Sequence, residues 1–193
     1  GTMARLPDLV AFAQRFNLKL GTIADLIAYR RRTERLVRKV EEGVIRGAAG
    51  GDWRVIVYAN TVEYAEHAVL VKGDIRTGEP VLVRMHAGDL LEDLTGGAHA
   101  VSLRKSMEMI NRAGAGVVVI IREQRPTALS ERVRKLAGAA RPQHELRDYG
   151  IGAQILLDLG IRDMILLSNT RRTIIGMEGY GLRIVDQQRI GDD

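Results

Sequence analysis

Apolar residues near the start of the chain recur at helical spacing. Residues 7–18 place apolar side chains three and four positions apart, behind Pro7 and Asp8. A proline followed by an acidic residue favours the first turn of a helix. Residues 22–37 repeat the spacing, with Thr22 as a candidate N-cap. The pattern therefore predicts two amphipathic helices.

The pattern changes to alternation between residues 39 and 86. The segments GDWRVIVYAN, HAVLVKGDI and PVLVRMH are rich in Val and Ile, and Gly-rich polar breaks separate them. Alternation of this kind is typical of antiparallel strands joined as hairpins. The shift near residues 38–41 predicts a domain boundary.

From residue 88 onward, helical and strand patterns take turns. The predicted elements are a loop-like stretch (88–98), an amphipathic helix (99–113), a buried strand (117–121), a short helix (129–138), a helix closed by Gly160 (148–159), a strand (164–168), a short helix (171–177) and a last strand (182–187). The predicted fold class is α+β, with an antiparallel β-rich N-terminal half followed by mixed α/β layers and preceded by two helices.

Composition narrows the functional classes. The chain has no cysteine, which excludes disulfides. It also has no apolar run near the roughly 20 residues of a membrane helix and no secretory signal pattern. We therefore expect a cytoplasmic protein without a membrane partner. Aromatic residues make up only 4% of the chain, so base-stacking platforms are scarce, and we expect no nucleic-acid partner.

Charge leaves two interpretations open. Lys and Arg number 29 against 24 acidic residues, a net charge of +5. Most of the basic residues are arginine, which suits bidentate recognition of phosphate or carboxylate. A phosphorylated ligand would explain this bias, and so would an arginine-rich proteome encoded by a GC-rich genome.

Two segments carry a resemblance to known families. LGTIADLIAYRRRTERLV (20–37) is similar to the C-terminal end of 3,4-dihydroxy-2-butanone-4-phosphate synthase. Residues 40–193 resemble GTP cyclohydrolase II, through EHAVLVKGDI (66–75), EPVLVRMH (79–86), LRDYGIGAQIL (146–156) and GMEGYGL (176–182). The resemblance implies a helical remnant of an upstream synthase with its linker over 1–38 and a GTP cyclohydrolase II-like domain over 39–193. It also implies riboflavin biosynthesis, the synthase domain as a partner on the same polypeptide, and a homodimer.

The resemblance implies that the zinc site of the family is degenerate. The family holds zinc by three cysteine thiolates; the first aligns with Asp89, and a Cys-Asp-Cys stretch aligns with Gly97, Ala98 and His99. We therefore expect no metal cofactor. Asp89, His86 and His99 are all possible ligand types, so a substitute metal site is an alternative.

Some substrate-binding positions persist as remnants. In the motif Arg-x-His-Ser-Glu-Cys, Arg84 and His86 remain, while the Ser and the Glu have become Ala87 and Gly88. Arg125 is retained from the loop that binds phosphate in the family. The residue after it is a proline, which has no backbone N–H to donate to a phosphate.

Later motifs are also altered. In a later motif of the family, the position of Ser168 is kept, whereas the GTP-contacting lysine is replaced by Thr173. Arg147 matches the arginine proposed as nucleophile, and Glu145 stands at the proton-acceptor position. Arg147 could instead serve the fold at a helix start.

Three functional hypotheses follow. Without zinc, no hydroxide is available near neutral pH to attack the guanine ring. The favoured hypothesis is a degenerate domain, inactive in GTP ring opening, that supports or regulates the fused dihydroxybutanone phosphate synthase. The alternatives are an active GTP cyclohydrolase II with an altered site, and a module that senses GTP or another phosphorylated ligand weakly, through Arg84 and Arg147.

Overall fold

The structure is a computed structural model, and it describes residues 4–21, 29, 34–47, 50–61, 64–75, 78–123, 125–137, 149–169 and 180–191. The chain divides into two compact units, Gly1–Arg35 and Leu36–Asp193. Each unit is described by itself. The assignment of the first to a synthase remnant stays a prediction.

The described part of the first unit contains the helix α1 (Leu6–Phe16). Asp8 accepts a hydrogen bond from the backbone N–H of Arg5 at 2.9 Å, which closes the first turn. The helix ends at Asn17, in the left-handed conformation with φ 51°. Its apolar side chains are largely exposed, including Phe12 and Phe16.

The predicted helix over 22–37 lies largely outside the described residues, and its predicted end is wrong. Residues 34–36 are not helical, and Val37 begins a strand that pairs with Asn60. The pairing of this segment along a neighbouring strand outweighs its local helical spacing.

The second unit is built on one seven-stranded mixed sheet. The strands are β1 (Val37–Arg46), β2 (Asp52–Asn60), β3 (Ala65–Lys72), β4 (Val81–Ala87), β5 (Gly116–Ile121), β6 (Asp163–Leu167) and β7 (Arg183–Gln188), in the spatial order β1-β2-β3-β5-β4-β6-β7. Ladders from β1 to β5 are antiparallel, and those from β5 through β4 and β6 to β7 are parallel. The predicted α+β class, with an antiparallel β-rich N-terminal half followed by mixed α/β layers, is confirmed.

The sequence pattern predicted that β4 pairs as a hairpin with the strand before it, and this prediction is wrong. It lies between β5 and β6 and is parallel to both. The chain inserts β5 beside β3, so the polar break at 73–80 is not a hairpin turn. Strand β5 runs GVVVII with its first four residues buried, as expected for a strand covered on both faces.

Four helices are described in this unit: α2 (Leu90–Thr95), α3 (Ala98–Ala113), α4 (Ala128–Leu136) and α5 (Tyr149–Asp158). Helices α3, α4 and α5 agree with their predicted positions to within one or two residues. The loop-like interpretation of residues 88–98 is wrong, because α2 occupies most of that stretch. The predicted helix over 171–177 lies outside the described residues. No described helix is long and apolar enough to cross a membrane.

The core has two clusters on opposite faces of the sheet. Val117 and Val119 of β5 pack with Ile155 and neighbouring residues of α5. Val118, which points the other way along the strand, packs with Ile110 of α3. The sheet is therefore covered by α5 on one face and by α3 on the other.

Candidate functional site

The candidate site residues gather where the parallel strands end. Strands β4, β5 and β6 run in the same direction, so their carboxyl ends share one edge of the sheet. Ligands of open α/β sheets bind outside such an edge. The loops that leave it contain Asp89, Arg125 and Ser168.

His86 is buried near the end of β4. Its Nε2 lies 3.2 Å from Oδ1 of Asp93 on α2, which fixes the ring. Among the described residues, the buried Nδ1 has no hydrogen-bond partner. Burial lowers the pKa of His86, and the Asp93 carboxylate opposes that shift only in part. Because an ionised carboxylate can only accept a hydrogen bond, Nε2 carries a proton and donates it to Asp93.

Asp89 begins helix α2. Its Oδ1 accepts a hydrogen bond from the backbone N–H of Glu92 at 3.2 Å, so the side chain caps the helix. Its other oxygen, Oδ2, lies 2.6 Å from Nε of Arg132 on α4, at an angle outside that of a hydrogen bond. Both carboxylate oxygens are thus engaged within the protein.

Arg132 also holds Glu92. Its Nη2 donates to Oε1 of Glu92 at 2.9 Å. The other oxygen of Glu92 lies 2.5 Å from the position that a Cβ would take on Gly97. The Glu92 carboxylate therefore fills the space into which a side chain at position 97 would project.

These residues do not fit a zinc ion. The ring centroids of His86 and His99 are 6.0 Å apart, but Asp89 is committed to the helix cap and the arginine, and Gly97 has no donor atom. Within the part of the chain that the structure describes, no group of three or more His, Asp or Glu side chains could hold a metal ion. The expected absence of a cofactor stays a prediction.

Arg84 lies on β4, and Ser168 directly follows the neighbouring strand β6. Nη1 of Arg84 donates to the carbonyl of Leu167, the last residue of β6, at 3.2 Å. Ser168 follows, and its backbone N–H donates to the carbonyl of Gln188 at 3.0 Å. The structure thus brings the two remnants to the same edge of the sheet, with Arg84 engaged by the backbone there.

Arg125 lies in the loop before α4 and pairs with acidic residues of the chain. It forms ion pairs with Glu123 at 3.2 Å and with Glu131 at 2.6 Å, and it is half exposed. Glu131 also accepts from the hydroxyl of Thr127 at 2.6 Å. These contacts stabilise the start of α4, while a role in binding phosphate stays a prediction.

Glu145 and Arg147 lie outside the described residues. Sequence reasoning missed Glu92, Asp93 and Arg132. A signal existed for Glu92, because Asp89 followed three residues later by a glutamate is a capping-box spacing. Nothing local in the sequence indicated that Arg132 would reach Asp89, 43 positions earlier.

Comparison with known proteins then assigns the family. Residues 38–189 match the family described as GTP cyclohydrolase II. The chain belongs to the GTP cyclohydrolase II family. This match begins at the second residue of β1 and leaves α1 outside it.

Three similar proteins are each about twice as long as this chain. The chain is 41% identical over 207 residues to riboflavin biosynthesis protein RibBA of Bacillus cereus and to the protein of the same name from Bacillus mycoides; the alignment covers 97% of this chain and 51% of each relative. A solved structure of RibBX, "a two domain 3,4-dihydroxy-2-butanone 4-phosphate synthase" from A. baumannii, matches with a TM-score of 0.64 and 31% identity, over 100% of this chain and 51% of that one. The chain thus spans about half the length of the relatives it matches.

Proposed function

We propose that residues 39–193 form a GTP cyclohydrolase II-like domain of riboflavin biosynthesis that is inactive in GTP ring opening. In this proposal the domain supports or regulates a dihydroxybutanone phosphate synthase on the same polypeptide, and residues 1–38 are the end of that synthase and its linker. The proposal rests on the residues that stand where the family has its metal ligands. Asp89 is bound to Arg132, Gly97 has no donor, and the chain has no cysteine.

Ring opening of guanine requires an activated water molecule. A bound metal lowers the pKa of water to about 7 and supplies hydroxide. The described residues offer His86 as a base, but its Nε2 is turned to Asp93 and its Nδ1 is buried. The remnants Arg84 and Arg125 are engaged with a carbonyl group and with carboxylates, so electrostatic stabilisation of a bound triphosphate is weakened too.

The name of the RibBX structure supports a role beside a synthase. It describes that two-domain protein by its synthase activity alone, and this chain is similar to about half of it. We further propose that the domain is cytoplasmic and forms a homodimer, and that any GTP or phosphorylated ligand is bound weakly.

The test of inactivity is a GTP turnover assay on the purified chain. Formate and the pyrimidine product should stay at the level of a protein-free control, with or without added Zn²⁺ or Mn²⁺. A zinc-containing GTP cyclohydrolase II, assayed in parallel, confirms that the conditions support turnover. Turnover that is lost on Arg147→Ala would show an active enzyme with an altered site and overturn the proposal.

The test of the supporting role uses the full-length fusion. Synthase activity and melting temperature are compared between the full-length protein and a version that ends at residue 38. We expect truncation to lower at least one of the two. If both are unchanged, the domain does not support the synthase.

A further inference from the structure

Three charged side chains form a compact cluster beside the edge where β4 ends. Arg132 of α4 contacts Asp89 at 2.6 Å and Glu92 at 2.9 Å. All three side chains are partly buried, with exposed fractions of 26% for Arg132 and 18% for Asp89. The guanidinium group therefore links α4 to both the cap and the first turn of α2.

The cluster lies at two of the three positions that the resemblance assigns to metal ligands; the third, His99, is not part of it. Asp89 aligns with the first thiolate ligand. Gly97 aligns with the second, and the space in front of it is filled by the Glu92 carboxylate, whose Oε2 lies 2.5 Å from where a Cβ would stand. At both positions, therefore, the nearest anionic group is a carboxylate that is paired with Arg132.

We propose that the guanidinium group of Arg132 takes the place of the metal ion as the cation that joins the α2 segment to the rest of the domain. A metal site surrounds one cation with several anionic ligands, and this cluster keeps that charge pattern with a cation that is part of α4. The planar fork of arginine can serve two carboxylates at once. The domain would then fold and stay folded without metal.

This inference rests on the proposed loss of the metal centre. Its test is a stability measurement on the whole 193-residue chain, so it can fail while the inactivity of the domain stands. The variant is Arg132→Met, and the matched control is Arg134→Met, which removes an exposed arginine of the same helix.

We expect Arg132→Met to lower the melting temperature by about 5 °C or more, because two partly buried carboxylates lose their cation. Arg134→Met should change it by about 1 °C or less. Chelator and added Zn²⁺ should leave the melting temperature of the unaltered chain unchanged. Equal effects of the two substitutions, or a chelator-dependent melting temperature, would overturn the proposal.

A rescue experiment separates charge from packing. Adding Asp89→Asn and Glu92→Gln to Arg132→Met should recover at least half of the lost melting temperature, since no unpaired charge remains. If Arg132 acted only by filling space, the triple variant would melt no higher than Arg132→Met, and the proposal would be wrong. Should Arg132→Met not fold, Arg132→Lys must still fold, with a melting temperature below that of the unaltered chain, because it keeps the cation but loses the planar fork. An Arg132→Lys variant that also fails to fold would overturn the proposal.

Discussion

At the scale of single residues, His86 has the most unusual environment of the described candidate residues. Its side chain is buried, and burial, opposed in part by Asp93, lowers its pKa. In the unfolded chain a histidine takes up a proton near pH 6.5. The folded state resists that proton, so stability is complete above about pH 6.5 and is lost as the pH falls below it toward the folded pKa.

The prediction is that His86→Gln flattens this pH dependence. The urea midpoint of the unaltered chain should fall more steeply between pH 7 and pH 5 than that of the variant, because the variant lacks the buried imidazole at position 86, whereas His67 is buried in both proteins. Urea unfolding followed by circular dichroism at several pH values measures both curves. Parallel curves would mean that protonation of His86 contributes nothing to acid destabilisation.

At the scale of elements, a close contact joins the end of β3 to the end of α3. Gly73 has φ +62° and lies against the backbone carbonyl of Gly114, so a Cβ there would overlap the oxygen. Gly114 is itself the left-handed C-cap of α3, with φ 80°. The contact helps to set where β5 starts beside β3, and hence where the parallel half of the sheet lies.

The prediction is that Gly73→Ala destabilises the domain more than Gly78→Ala. Both glycines have positive φ, so each alanine costs about 1 kcal/mol. A Cβ at Gly73 would also meet a backbone atom, which adds roughly 1–3 kcal/mol. No atom of the described residues lies within 4 Å of a Cβ at Gly78. The measurement is the free energy of unfolding of the two variants. Equal losses would show that the contact at Gly73 adds no cost of its own.

At the scale of the whole molecule, α1 presents an exposed apolar surface. Phe12 and Phe16 pack against each other with centroids 4.6 Å apart, yet each is about half exposed, and Leu6 and Leu9 beside them are exposed as well. Exposed apolar patches of this kind mark interaction sites. The family match leaves α1 out, and the relatives are about twice as long as this chain.

The prediction is that the chain self-associates at micromolar concentration through this surface. Sedimentation velocity should show a dimer, and Phe12→Ser with Phe16→Ser should shift it toward monomer by removing apolar area from the interface. Leu94→Ser, at an exposed leucine on α2, is the matched control and should leave the dimer intact. A monomer in the unaltered chain contradicts the prediction.

The sequence by itself determined the elements whose patterns are strong and local. The apolar run at 117–121 predicted the buried strand β5, and the apolar spacing of 99–113, with Gly114 after it, predicted α3 to within one residue. The absence of cysteine and the glycine at position 97 predict an altered metal site, and that prediction is still to be tested.

Only the tertiary structure decided the pairing of strands and the partners of charges. Strand β4 alternates like a hairpin strand, but it lies between β5 and β6 because long crossovers bring distant segments beside it. The partner of Asp89 is an arginine 43 positions later, on a helix that packs nearby only in the folded domain. Spacing along a chain encodes neighbours within one element, whereas contacts between elements depend on how the whole sheet is assembled.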